Sequence, residues 1–200
     1  MGFQEGTTDY PMENGKMIPS DVHYTETYKA MEELVTLGRV KSIGISNFNI
    51  EQVKDILNIC KIRPVCNQFE VNPLWQNEEL VNFCQSENIA VVAYAPLGAP
   101  DRGWRNSNDP IPLEHPLILD IAKKYNKSPA QVILRWLIQR NIIVIPKSVT
   151  PSRIEENSRI FDFELNAEDM QVFKDSFKDQ QFRFYVFDVA DNHPFYPFRQ

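Results

Sequence analysis

The chain has 200 residues, of which 42% are hydrophobic, 24% charged and 12% aromatic, and its formal net charge is −6. That length fits one domain, and the composition excludes a disordered, collagenous or low-complexity chain. An acidic surface repels a phosphate backbone, so nucleic acid is not expected as a partner.

In chain order, the first 20 or so residues, rich in Gly, Pro, Asn and Thr, read as a loop. A helix is expected over 26–37, with Tyr28, Met31, Leu34 and Val35 on one face and Gly38 as the residue that ends it. A short β-type run, 42–48, follows. Asn49 and Gln52 form a capping-box pattern that opens a second helix through Ile56, Leu57 and Ile59. The run 65–71 reads as a second strand, and Asn77 as the cap of a helix holding Leu80, Val81 and Cys84. Residues 89–95 are continuously apolar, as a strand buried on both faces should be. Beyond a long Gly/Pro/Asp-rich loop come helices at 117–125 and 129–140, the latter opened by Ser128, Pro129 and Gln131. A fourth strand spans 142–145, Thr150-Pro151 opens a helix, and another follows Asn166 and Asp169 before an aromatic tail.

Alternating strands and helices mean βα units on a parallel sheet. No GxGxxG follows a strand and no GxxxxGK[ST] occurs, which removes the Rossmann fingerprint and the P-loop. The remaining common parallel architecture is the (β/α)8 barrel, which needs eight strands and about 250 residues. Four strands are legible here, so the expectation is the C-terminal half of a barrel spanning residues 1–200, with sheet edges that need covering.

Several chemistries drop out. The longest near-continuous apolar stretch, 89–97, is far short of the roughly 20 residues that cross a bilayer, so no membrane partner is expected. No basic and apolar leader opens the chain, which points to a cytoplasmic location. Cys60, Cys66 and Cys84 are odd in number and lack CxxC spacing, so they read as buried reduced thiols. His23, His115 and His193 are scattered, and no metal is expected. Glu32, Glu33 and Asp169 read as solvated helix faces.

In barrels of this kind, function sits at the C-terminal ends of strands, and phosphate often binds after the last ones. The last strand here runs into Lys147, Ser148, Thr150 and Arg153, where two hydroxyls, two cations and a helix start converge. That is a phosphate site on physical grounds, or else an ordinary capped helix with solvated charges. Cations in excess of a pyrophosphate's needs suit a 2′-phosphate. Ser46 and Asn47 end the first strand, and Gln68 lies in the second. Their neutral groups suit a carboxamide, or simply satisfy loop backbone. Tyr94 offers a flat face or is core, and Asp101 in the long loop is placed to pair with Lys147. The aromatic tail, from Phe182 to Phe198, either packs across a pocket mouth, the favoured reading, or covers a flank.

These residues resemble the aldo-keto reductase family. The resemblance rests on Gly44-Ile45-Ser46-Asn47-Phe48, Asn67-Gln68-Phe69-Glu70 with Pro73, Ala93-Tyr94-Ala95-Pro96-Leu97-Gly98, and Ile145-Pro146-Lys147-Ser148. Arg153, Glu156 and Asn157 complete it, and Pro100-Asp101-Arg102 with Trp104 is similar to the aldose-reductase-like branch. The resemblance implies NADPH-dependent reduction of aldehydes and ketones on a (β/α)8 barrel, monomeric at full length. Ser46, Asn47 and Gln68 would then hold the nicotinamide carboxamide and Tyr94 would stack on its ring. Leu97 and Asp101 would lie along the pyrophosphate, with Asp101 bridging to Lys147. Lys147, Ser148, Thr150 and Arg153 would take the 2′-phosphate side, Glu156 and Asn157 the adenine, and Trp104 with the tail the carbonyl substrate. Ala95 stands where many members have serine. The family's catalytic Asp, Tyr, Lys and His have no counterpart here and are expected upstream of Met1, so this chain is expected to be inactive alone. A truncated, nucleotide-binding or regulatory form is the alternative, and a phosphosugar enzyme a distant third.

Overall fold

The structure, a computed structural model, describes residues 1–6 and 11–198; the part of the expected N-terminal loop at 7–10 lies outside them. Four parallel strands, β3 (Ile45–Ser46), β4 (Cys66–Glu70), β5 (Ala90–Tyr94) and β6 (Ile142–Val144), form one sheet in the order β3-β4-β5-β6. Helices separate them: α1 (Tyr24–Thr36) precedes β3, then come α2 (Ile50–Ile59), α3 (Glu78–Ser86), α4 (Pro116–Tyr125) and α5 (Pro129–Gln139). Past β6 lie α6 (Pro151–Ser158) and α7 (Ala167–Ser176).

Local chemistry sets most of these boundaries. The Asn49–Gln52 capping box forms in both directions, as does the Ser128–Gln131 box, and Asn166 accepts from the Asp169 amide. Each such cap contributes about 1 kcal/mol. Gly38, at φ +66, closes α1 as its amide donates to Val35 while Arg39 reaches Leu34.

Three expectations need correction. The N-terminal stretch is not all loop: β1 (Met12–Glu13) and β2 (Lys16–Met17) form a small antiparallel hairpin. Its turn is Asn14-Gly15, both at positive φ, the pairing that a two-residue hairpin turn requires. Asn77 does not cap α3 through its side chain, because it sits at φ +48, where that side chain makes no bond to the helix start. Glu32 and Asp169 are not solvated. Glu32 is buried and accepts from the amides of Lys61 and Ile62, at 2.6 and 2.7 Å, while Asp169 accepts from Lys124 and from the Tyr125 hydroxyl. In both cases a helix-face acid supplies acceptors that a neighbouring loop or helix lacks. Glu33 is exposed as expected.

The register sorts the strand residues onto two faces. Ile45, Asn67, Val91 and Ile142 lie side by side, all buried against the helices. That layer joins Val53, Ile56, Phe69 and Ala93, and on its far side Trp136 stacks on Phe173 at 5.2 Å. Ser46, Gln68, Val92 and Ile143 form the matching row on the opposite face, exposed at both ends. Among the described residues, no strand pairs with the outer edge of β3 or of β6. Of the thiols, Cys84 is buried, and Cys60 and Cys66 are partly so; all three are free.

Candidate functional site

The carboxyl ends of the four strands point one way, and the expected site residues fall there in two groups. The first group is a strand-end cluster. The Ser46 hydroxyl donates to the Gln68 carbonyl at 2.9 Å, and the Asn47 amide donates to the same oxygen at 2.8 Å. Asn47 sits at φ +59, a conformation asparagine tolerates, and this turns its side chain toward β5. There its Oδ1 accepts from the Tyr94 hydroxyl at 3.0 Å. Burial, and then the charge of nearby Glu70, push the Tyr94 phenol up to about 12. Tyr94 therefore keeps its proton at neutral pH and acts as a donor.

The second group lines a groove of about 870 Å3 between the loop after β5 and the loop after β6. Leu97, Asp101, Trp104, Lys147, Ser148, Thr150, Arg153, Glu156 and Asn157 all line it, as does Ala95, which bends the chain at φ +47. Ser46, Asn47, Gln68 and Tyr94 do not line it; Tyr185 joins the groups, since it lines the groove and packs edge-on to Tyr94 at 5.4 Å. Thr150 occupies the cap position of α6 but its hydroxyl makes no bond to the helix start. Its amide instead donates to the Ser148 hydroxyl at 3.2 Å. Among the described residues, Lys147 and Arg153 have no carboxylate partner, and Asp101 has no cation partner. Two unpaired cations, two hydroxyls and the amides of a helix start make an anion-receptive end. This donor set fits a phosphorylated ligand.

The long loop after β5 is held by Arg102. Its guanidinium pairs with partly buried Asp109 and lies 4.8 Å above the Phe184 ring. Gly98, at φ +77, starts the loop where a Cβ would strike Pro112 at 2.7 Å and Phe184 at 3.1 Å. The tail is therefore built into the site. Tyr185 also packs edge-on to Trp104 at 5.3 Å, while Tyr196 and Phe198 pack near Met17 in a separate cluster on the flank. The tail does both things weighed from its composition.

Sequence reasoning gave no role to Glu70, Arg183, Arg102 or Asn72. Glu70 is fully buried, accepts from the Phe184 and Tyr185 amides at 2.8 and 3.0 Å, and takes a third bond from Asn72 at 3.1 Å. A carboxylate inside an otherwise buried strand was the available signal, because such a group needs partners.

Among the described residues, no group of three or more His, Cys, Asp or Glu could hold a metal, and no helix is long and apolar enough to cross a membrane. A parallel βα sheet with an anion-receptive groove at its strand ends defines the class as an α/β protein with its candidate site at the carboxyl ends of the strands. The chain belongs to the aldo/keto reductase family, whose profile matches residues 11–176. It is 48% identical over 183 residues to aldo-keto reductase family 1 member A1-A of Danio rerio, covering 91% of this chain and 56% of that protein. It is 41% identical over 204 residues to aldo-keto reductase family 1 member A1 of Homo sapiens, covering 98% and 63%. The solved aldose reductase of Schistosoma japonicum superposes with a TM-score of 0.90 at 40% identity, covering 99% of this chain and 62% of that one. The chain thus spans about 56% to 63% of the length of the curated relatives just compared.

Proposed function

We propose that these 200 residues form the cofactor-binding part of an NADPH-dependent reductase of aldehydes and ketones. The observation that carries this reading is the groove with Lys147, Arg153, Ser148 and Thr150 at one end and the Asn47–Tyr94 pair beyond the other. When bound, a reduced nicotinamide supplies the hydride. Lys147 and Arg153 hold the 2′-phosphate, Ser148 and Thr150 add hydroxyl donors, and Glu156 and Asn157 meet the adenine. Leu97 and Asp101 lie along the pyrophosphate. Ser46, Asn47 and Gln68 read the carboxamide, and Tyr94 backs the ring. Trp104 and the tail wall the carbonyl end.

Carbonyl reduction also needs an acid for the developing alkoxide, with a pKa near the working pH. Tyr94 does not supply it, since its phenol is pushed up to about 12 and its proton is committed to Asn47. We infer that the acid belongs to barrel strands outside these 200 residues, that the chain corresponds to the C-terminal half of the barrel, and that by itself it binds cofactor without turning it over. The commitment of the Tyr94 proton to Asn47 favours the second reading as well, a nucleotide-binding or regulatory polypeptide.

Titration of NADPH and NADH into the purified chain, followed by nicotinamide fluorescence, tests the cofactor assignment. Binding of NADPH at least tenfold tighter than NADH is expected, with Arg153→Ala erasing most of the difference. Equal affinity for the two, or no binding of either, would overturn it.

A further inference from the structure

Residues 182–185 cross the strand ends with no helix or strand of their own, yet the amides of Phe182, Phe184 and Tyr185 are all held. The Phe182 amide donates to the Leu74 carbonyl at 2.8 Å. The Phe184 amide donates to Glu70 Oε1 at 2.8 Å and the Tyr185 amide to Oε2 at 3.0 Å. The Phe184 carbonyl accepts from Trp104 Nε1 at 3.4 Å. Glu70 is a fully buried carboxylate on a central strand, and its other neighbours are Asn72 and, at 3.9 Å, Arg183 of the same strap. Each carboxylate oxygen thus meets a different strap amide, an arrangement that only an acceptor-only group with two equivalent oxygens satisfies.

We propose that Glu70 is a positioning residue that latches the C-terminal strap onto β4 and thereby sets the wall of the carbonyl end of the site. The latch fixes the backbone of Phe184 and Tyr185, and through it the Tyr185 ring, which packs edge-on to both Tyr94 and Trp104. Burying a carboxylate is costly, and a purely structural site would be filled as well by an apolar side chain. The return is two charge-assisted bonds that hold an irregular segment to about the precision of a strand. Glutamine in its place would present an NH2 to one of the two donating amides and release that half of the strap. The assignment of the wall to a carbonyl substrate rests on the reading under Proposed function; the latch itself does not.

Residue-resolved amide exchange on the 200-residue chain tests the latch. Phe184 and Tyr185 are expected to exchange at least tenfold more slowly than exposed Val186. In Glu70→Gln their exchange is expected to rise at least tenfold, while Phe69 and Val92 keep their protection. Unchanged strap exchange in the variant, or exchange that rises evenly through the sheet, would overturn the proposal. Should Glu70→Gln fail to fold, Glu70→Asp keeps the charge but withdraws it by one methylene. Loosening confined to the strap is expected there too, and its absence would likewise overturn the latch. With 2′,5′-ADP and NADPH as probes, Glu70→Gln is expected to lose about fivefold in NADPH affinity and nothing for 2′,5′-ADP. An equal loss for both would refute control of the carbonyl end alone. If the unmodified chain binds neither probe, the cofactor reading fails while the exchange result still decides the latch.

Discussion

Gly98→Ala should be among the most damaging single-methyl additions to this chain. Gly98 lies at φ +77, and its Cβ would stand 2.7 Å from the Pro112 ring and 3.1 Å from Phe184 Cε2. The left-handed backbone costs a non-glycine residue about 1–2 kcal/mol. Overpacking against rigid neighbours adds about 1–3 kcal/mol. Neither neighbour yields cheaply: both are buried, and the Phe184 ring is sandwiched against the Arg102 guanidinium while its amide is held by Glu70. The expected loss is therefore about 3 kcal/mol, a large share of the roughly 5–15 kcal/mol that holds a domain together. Urea unfolding followed by circular dichroism measures it directly. Gly103→Ala serves as the control, since nothing lies within 4 Å of its Cβ and it needs no positive φ. A change there within about 0.5 kcal/mol is expected, as for ordinary surface positions. Equal effects of the two substitutions would refute the account of how the loop after β5 is seated.

Gln131→Ala is expected to cost about 2–3 kcal/mol in the same assay, because Gln131 accepts from the Ser128 amide and donates to the carbonyls of Glu156 and Arg159, at 3.2 and 2.8 Å. Unfolding midpoints unchanged by this substitution would contradict the coupling of α5 to α6. The thiols should react slowly with a chromogenic disulfide at pH 7.5, Cys84 slowest, since burial raises all three above their ordinary value of 9.0. The sign of the linked stability effect follows. Above pH 9 the folded state retains thiol protons that the unfolded state releases, so stability falls as pH rises through that value. Rapid labelling of Cys84 at pH 7.5 in the folded chain would be the contrary result.

Much of the fold was legible because local and global signals agree. Asn49 with Gln52, and Ser128 with Gln131, start helices whose apolar faces point into the core, and 89–95 is too apolar to be anything but a doubly covered strand. The hairpin at 12–17 was missed although Asn14-Gly15 spells its turn, because strands of two residues leave no alternation to read. Asn77 misled for a related reason: asparagine serves both as a side-chain cap and as a left-handed turn residue, and composition does not separate the two. At the site, the groove residues were legible because they follow strands in short, contiguous stretches. Glu32, Glu70 and Asp169 were not, since apart from Asn72 beside Glu70 the partners that account for them lie 29 to 115 residues away.

That distance has a consequence for how the site divides. The anion-receptive end is made by one local segment, the β6–α6 connection, so its chemistry travels with a dozen consecutive residues. The other end has no local author. Asn47 comes from the exit of β3, Tyr94 from β5, Trp104 from the long loop, and Tyr185 from a strap whose place depends on Glu70 in β4. The Tyr185 side chain is free to change, because Glu70 holds that residue by its backbone amide. Substitutions at Tyr185 should accordingly reshape the wall without disturbing the phosphate end, whereas loss of the Glu70 carboxylate should unsettle every side chain the strap carries at once.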